Sequence, residues 1–196
     1  MTAARTEVLL ETGPRWVWAS ALDHPGWCRR GKGEEAAIEQ LLAYADRYRG
    51  VVSDFTPGEL HVVATLEGPP AMNDWAPSVP GPGEEAVPSP RELDALQRCW
   101  DAFDRITAAS TATLTKGPRG GGRDRDGIVD HVREAERSYG RKIGVRVPPR
   151  TPWVEQRAAL LEGFREPSGP WLPRYAVRRI AWHVLDHAWE VEDKQT

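Results

Sequence analysis

An α+β fold is predicted, a small α/β module followed by a four-helix bundle, and three observations predict it. Aromatic and β-branched segments lie in the first third of the chain, around one helical stretch. A segment crowded with Pro and Gly follows, and the remainder is patterned at helical spacing. The boundaries fall at residues 1–68 for the module, 69–88 for a Pro/Gly-rich linker and 89–196 for the bundle.

The segment RWVWASA, Arg15 to Ala21, reads as a strand that ends at the turn-forming DHPG, Asp23 to Gly26. In EEAAIEQLLAYADRY, Glu34 to Tyr48, the residues Ala37, Leu41, Leu42, Ala45 and Tyr48 recur at helical spacing, and Gly50 stands where the helix should stop. VVSDF and the alternating ELHVVATLEG, Glu59 to Gly68, come next, separated by the turn at Pro57 and Gly58. The stretch GPPAMNDWAPSVPGPGEEAVPSP cannot continue a helix or a sheet ladder, although its Met72 and Trp75 can dock on a surface.

Ser89 is a candidate N-cap, with Pro90 at the first helical position and Leu93, Leu96, Trp100, Phe103 and Ile106 on the apolar face. A polar, Gly-rich loop from Lys116 to Gly127, expected to be mobile, leads to a second helix, GIVDHVREAERSYGRKI. TPWVEQRAALLEGFRE predicts a third, with Thr151 as cap and Pro152 at the first helical position. YAVRRIAWHVLDHAWEVED, Tyr175 to Asp193, predicts the fourth, and four helices suggest an antiparallel bundle.

Of the 196 residues 40% are hydrophobic, 28% are charged and nine are Trp, which is enough apolar material for a core and excludes wholesale disorder. The net charge of −3 and the scatter of Lys and Arg among acids speak against a nucleic-acid partner. No apolar run approaches the roughly 18 residues of a spanning helix, and the N-terminus lacks the long apolar stretch of a signal peptide. A soluble, cytoplasmic protein with no membrane partner is the expectation. Cys28 and Cys99 lie far apart and are read as reduced thiols.

His183 and His187, four residues apart in a segment without a helix breaker, share one helical face, and imidazoles on successive turns can meet at one ion. An HxxxH pair also occurs as a solvated or core-capping pair. Here Ile180, Trp182, Val184, Leu185 and Trp189 make the helix a largely buried one, where unpartnered imidazoles carry a desolvation penalty. His131, on the second helix of the bundle, is the candidate third ligand. Asp186 points about 100° away from His187 and is assigned an Arg partner or a ligand-orienting role.

The bundle resembles the DinB-like superfamily, which includes the bacillithiol and mycothiol transferases and the mycothiol-dependent maleylpyruvate isomerases. The resemblance runs from about Ser89 to the C-terminus and rests on DHVREAERSYGRKI and RRIAWHVLDHAWEVED. It implies a four-helix bundle with one divalent metal held by His131, His183 and His187, Zn or Ni foremost, with Fe or Mn as alternatives. It also implies a low-molecular-weight thiol as co-substrate, and, since related bundles often pair, a homodimer. The N-terminal WVWASALDHPGWCRRGKGEEAAIEQLLAYADRY resembles a HicB-type fold, which implies a small sheet packed by one helix and supplies no catalytic residues.

Under this resemblance the expected function is that of a metal-dependent S-transferase or isomerase acting on a small electrophile, the ion presenting the thiol as thiolate. Arg133, Arg137, Arg178 and Arg179 are candidates to bind carboxylates of cofactor or substrate, against the alternative that they line a solvated face and pair with Glu134, Glu136 and Glu190. Tyr139 is either a core residue or a donor toward substrate. His24 and His61 are expected to be structural or exposed, and Cys28 beside Arg29 and Arg30 is a weak candidate for a reactive thiol. The alternative function is a non-catalytic regulatory or binding protein with a structural metal and a HicB-like interaction module.

Overall fold

The first strand carries its apolar residues one side at a time: Thr6, Val8 and Leu10 are buried on one face of β1, Arg5–Thr12, while Leu9 and Glu11 are buried on the other. In this computed structural model, which describes residues 5–117 and 122–195, β1 pairs antiparallel with β2, Val17–Ala21, and β2 with β3, Cys28–Gly31. Between β2 and β3 the predicted turn is of type II, with Pro25 at its second position, Gly26 at φ 95° and a hydrogen bond from Trp27 N to His24 O of 3.0 Å. The chain then crosses over through α1, Glu34–Ala43, and α2, Ala45–Arg49, to β4, Glu59–Glu67, which lies parallel to β1. The strand order is β3-β2-β1-β4.

One sequence expectation changes here, and two segments without an assignment acquire one. The helix predicted over Glu34 to Tyr48 is broken at Tyr44, whose ring is held under the Arg29 guanidinium at 3.6 Å and against Trp189. VVSDF is a turn, closed by hydrogen bonds from Val51 N and Val52 N to Tyr48 O, with Val52 and Phe55 pinned in the core. Strand β1 itself was not foreseen, because Leu9 between Val8 and Leu10 interrupts the apolar–polar alternation.

Residues 69–88 do not form a free linker. They contain a short helix, α3, Pro70–Asn73, and then strap across the sheet face opposite α1, where Ala76 joins Trp18, Cys28 and Trp182 in a second apolar cluster. Two buried carboxylates hold the strap. Glu11 accepts hydrogen bonds from Ser78 N, Ser78 Oγ and Val79 N, and Glu84 forms a bidentate pair with Arg178 at 2.6 and 2.9 Å. Composition alone identifies the Pro and Gly that exclude ladders but gives no sign of these anchors.

Four long helices follow: α4, Pro90–Ala109; α5, Arg125–Lys142; α6, Trp153–Gly163; and α7, Pro173–Asp193. Ser89 caps α4 as the sequence predicts, its hydroxyl accepting from Glu92 N while the Glu92 carboxylate accepts from Ser89 N. In α6 the cap position is Pro152, extended at ψ 141°, so Thr151 lies outside the helix. Helix α7 starts two residues before the expected Tyr175, at Pro173. The expectation of mobility between Lys116 and Gly127 falls in part on residues 118–121, outside the described residues.

One hydrophobic core joins the sheet to the long helices, running from Val8, Leu10, Trp27 and Leu41 to Leu96, Trp100, Phe103, Ile180, Leu185 and Trp189. Helix α7 is its axis, with every residue from Tyr175 to Leu185 buried. A helix covered on all sides needs packing partners all round, and the sheet module supplies one of them: Trp18 meets Trp182 edge to face at 5.3 Å and Tyr44 meets Trp189 at 5.3 Å. Among the described residues no helix is long and apolar enough to cross a membrane.

Candidate metal centre

His183 and His187 face one another across a turn of α7 with ring centroids 4.7 Å apart, as the i, i+4 spacing requires. His131 comes from α5, which runs antiparallel to α7: while His131 meets His183 and His187, Tyr139, two turns further along α5, meets His183 and the earlier Arg179. The sequence-predicted triad is therefore assembled. The ligand atoms of all three lie within 4.8 Å of one another, and the Nε2 atoms of His131 and His183 are 3.2 Å apart.

Two imidazole nitrogens at that separation either share a proton or share an ion. Metal–nitrogen bonds of about 2.0 to 2.1 Å in a tetrahedral arrangement put neighbouring donors about 3.3 Å apart, so the donor set fits a divalent cation. His183 is 7% exposed, and burial, with the positive charges of Arg179 and Arg123 nearby, holds its pKa well below the usual value. Burial first, then His187 and Arg123, lowers that of His131. Both shifts favour the neutral ring, the state in which imidazole ligates. His131 and His187 are only partly covered, which leaves the centre open toward solvent on their side.

No protein-family model, curated protein or solved structure matches this chain. Glu190, considered from the sequence only as a partner for arginine, instead accepts a 2.7 Å hydrogen bond from His187 Nδ1 and a second from Lys194. The His187 hydrogen bond, and then that of Lys194, hold its carboxyl down to about 2. An Nδ1 occupied in this way leaves Nε2 as the atom free to ligate and fixes the ring. The i, i+3 spacing of His187 and Glu190 on a helix was the available sequence signal. Glu190→Gln is expected to weaken binding of Zn to the purified protein by about 10- to 100-fold with little change in fold, measured by competition with a chromogenic chelator.

Of the four arginines considered for ligand binding, three are engaged elsewhere. Arg133 donates to Thr151 O, Arg137 pairs with Glu134 through Nη2 while its Nε and Nη1 stay buried without a partner, and Arg178, 1% exposed, is bound to Glu84 and Val79 O. Arg179 alone stands beside the histidines without an ion pair among the described residues, its guanidinium over the rings of Tyr139 and Trp182. Tyr139, half-buried, packs on Trp171 and turns its ring edge-on to His183 at 5.6 Å. Arg123, close enough to lower both His131 and His183, was missed because it lies in a loop read only as polar.

The other candidates resolve as structural. Asp186 turns away from the triad to pair with Arg29 at 2.9 Å. Glu136, expected on a solvated face, is buried, accepts from Trp153 Nε1 and pairs with Arg157; desolvation raises its pKa. His24 sits in an aromatic cluster with Trp27, Tyr48 and Phe55, and His61 is exposed on β4. Cys28 is buried beside Ser20, and burial pushes its thiol up to about 12, which disfavours the thiolate; Cys99 is likewise a buried free thiol.

Proposed function

We propose that the chain is a metal-dependent enzyme of the DinB-like four-helix type, using a low-molecular-weight thiol of the mycothiol kind for S-transfer to, or isomerisation of, a small electrophilic molecule. The single observation that carries the reading is the convergence of His131, His183 and His187 from two antiparallel helices, with Nε2 atoms of His131 and His183 at 3.2 Å. Three neutral donors leave coordination positions for an exogenous ligand. An ion held there, Zn or Ni before Fe or Mn, supplies Lewis acidity and favours the thiolate form of a coordinated thiol.

The residues of the chain divide the remaining work. His131, His183 and His187 hold the ion, Glu190 fixes the His187 ring, and the partly covered side of the centre admits the small molecule. The N-terminal sheet, with β1 to β3 antiparallel and β4 returned beside β1 through a helical crossover, is read as a HicB-like accessory module that buttresses α7. A cytoplasmic setting, where free thiols persist, suits Cys28 and Cys99.

The decisive experiment is elemental analysis of the protein as isolated, followed by assay of small electrophiles with and without added thiol. One ion per chain and thiol-dependent turnover are expected. Protein that holds no stoichiometric ion and binds none at micromolar concentration overturns the metal centre; a loaded protein without thiol-dependent turnover overturns the thiol chemistry.

A further inference from the structure

Arg179 lies one helical turn before His183 on α7, is 5% exposed, and its Nη1 is buried without a hydrogen-bond partner. Among the described residues no carboxylate pairs with it. Its guanidinium carbon stands 4.7 Å from the Trp182 ring centre and 5.3 Å from that of Tyr139, and the Tyr139 ring in turn meets His183 at 5.6 Å. The charge is therefore held in an aromatic corner against the metal-ligating ring. Aromatic faces offset part of the desolvation of a guanidinium, but they offer no acceptor for its N–H groups.

Two neighbours share the same deficit. Trp182 Nε1 and His183 Nδ1 are also buried and unpartnered, and an ion taken at Nε2 of His183 would place that ring's proton on Nδ1. Three donors on three nearby side chains, one of them permanently cationic, call for an acceptor-rich, negatively charged complement. A water molecule satisfies a donor without neutralising the charge.

We propose that Arg179 is the anion-recognition residue of the centre, so that the small molecule taken beside the three histidines carries a carboxylate. This deepens the proposed function by naming the ligand class and rests on that reading for the role of the ion. The carboxylate belongs either to the thiol or to the electrophile, and the planar fork of arginine suits both by bidentate pairing.

The test has two arms. In the first, Co(II)-loaded protein is titrated with mercaptoacetate and with 2-mercaptoethanol, read by sulfur-to-cobalt charge-transfer absorption. In the second, metal-free protein is titrated with succinate and with succinamide by calorimetry. In at least one arm the carboxylate is expected to bind about tenfold or more tightly than its neutral counterpart, the arm that responds identifying the source. Arg179→Gln is expected to remove that preference while Co(II) still binds one per chain, and Arg179→Lys, which keeps the charge without the fork, to retain part of it. Parity in both arms for the unmodified protein, or a preference that survives in either variant undiminished, overturns the proposal. Failure of Co(II) to bind with an Arg179-dependent succinate preference intact removes the metal reading and leaves this one standing.

Discussion

Replacing His183 by alanine is expected to weaken divalent-metal binding by more than about 100-fold, since loss of a partner that only orients a ligand already costs about 10- to 100-fold. His183 is the most buried of the three rings and the one whose Nε2 meets that of His131. Its low pKa means that at neutral pH it offers a lone pair without first losing a proton. Calorimetric titration with Zn measures the effect, and His61→Ala, an exposed histidine on β4, serves as the control with unchanged affinity. Equal affinity in His183→Ala and the unmodified protein would remove the triad as the metal centre.

The largest effect on stability is expected at the buried ion pair. Glu84 and Arg178 have side chains 0% and 1% exposed, and Glu84 also accepts from Gly81 N at 2.6 Å. Glu84→Ala leaves a guanidinium desolvated and without its counter-ion, a change that costs about 3–5 kcal/mol. For a chain of this size that corresponds to a fall in Tm of roughly 6–20 °C, read by circular dichroism. The double replacement Glu84→Leu with Arg178→Met removes both charges and is expected to recover much of the loss. A single variant that melts with the unmodified protein would show that the strap is not anchored through this pair.

The histidines were legible because helical spacing is a local property: an unbroken segment puts His183 and His187 on one face whatever surrounds it. The caps and turns were legible for the same reason, Ser89 with Pro90 and Pro25 with Gly26 each prescribing their own backbone. What escaped was long-range. Nothing within a few residues of Arg178 marks Glu84 as its partner, and nothing near Glu11 marks Ser78. Arg133, Arg137, Arg178 and Arg179 look alike in sequence, and only packing separates the three that are already paired from the one that is not. Glu190 lay within local reach and was overlooked because an acid on a helix more often pairs with a cation than with a ligating imidazole.

The burial of α7 from Tyr175 to Leu185 bears on how such a gene can be cut or joined. Its flank toward the sheet presents Trp182 and Trp189 to Trp18 and Tyr44, while its other flank presents the two histidines to α5. A shortened gene without its first 68 codons would take Trp18 from Trp182 and Tyr44 and Arg29 from Trp189, exposing part of both indoles to water. Removal or exchange of the sheet is therefore expected to destabilise α7, the helix that carries two of the three histidines.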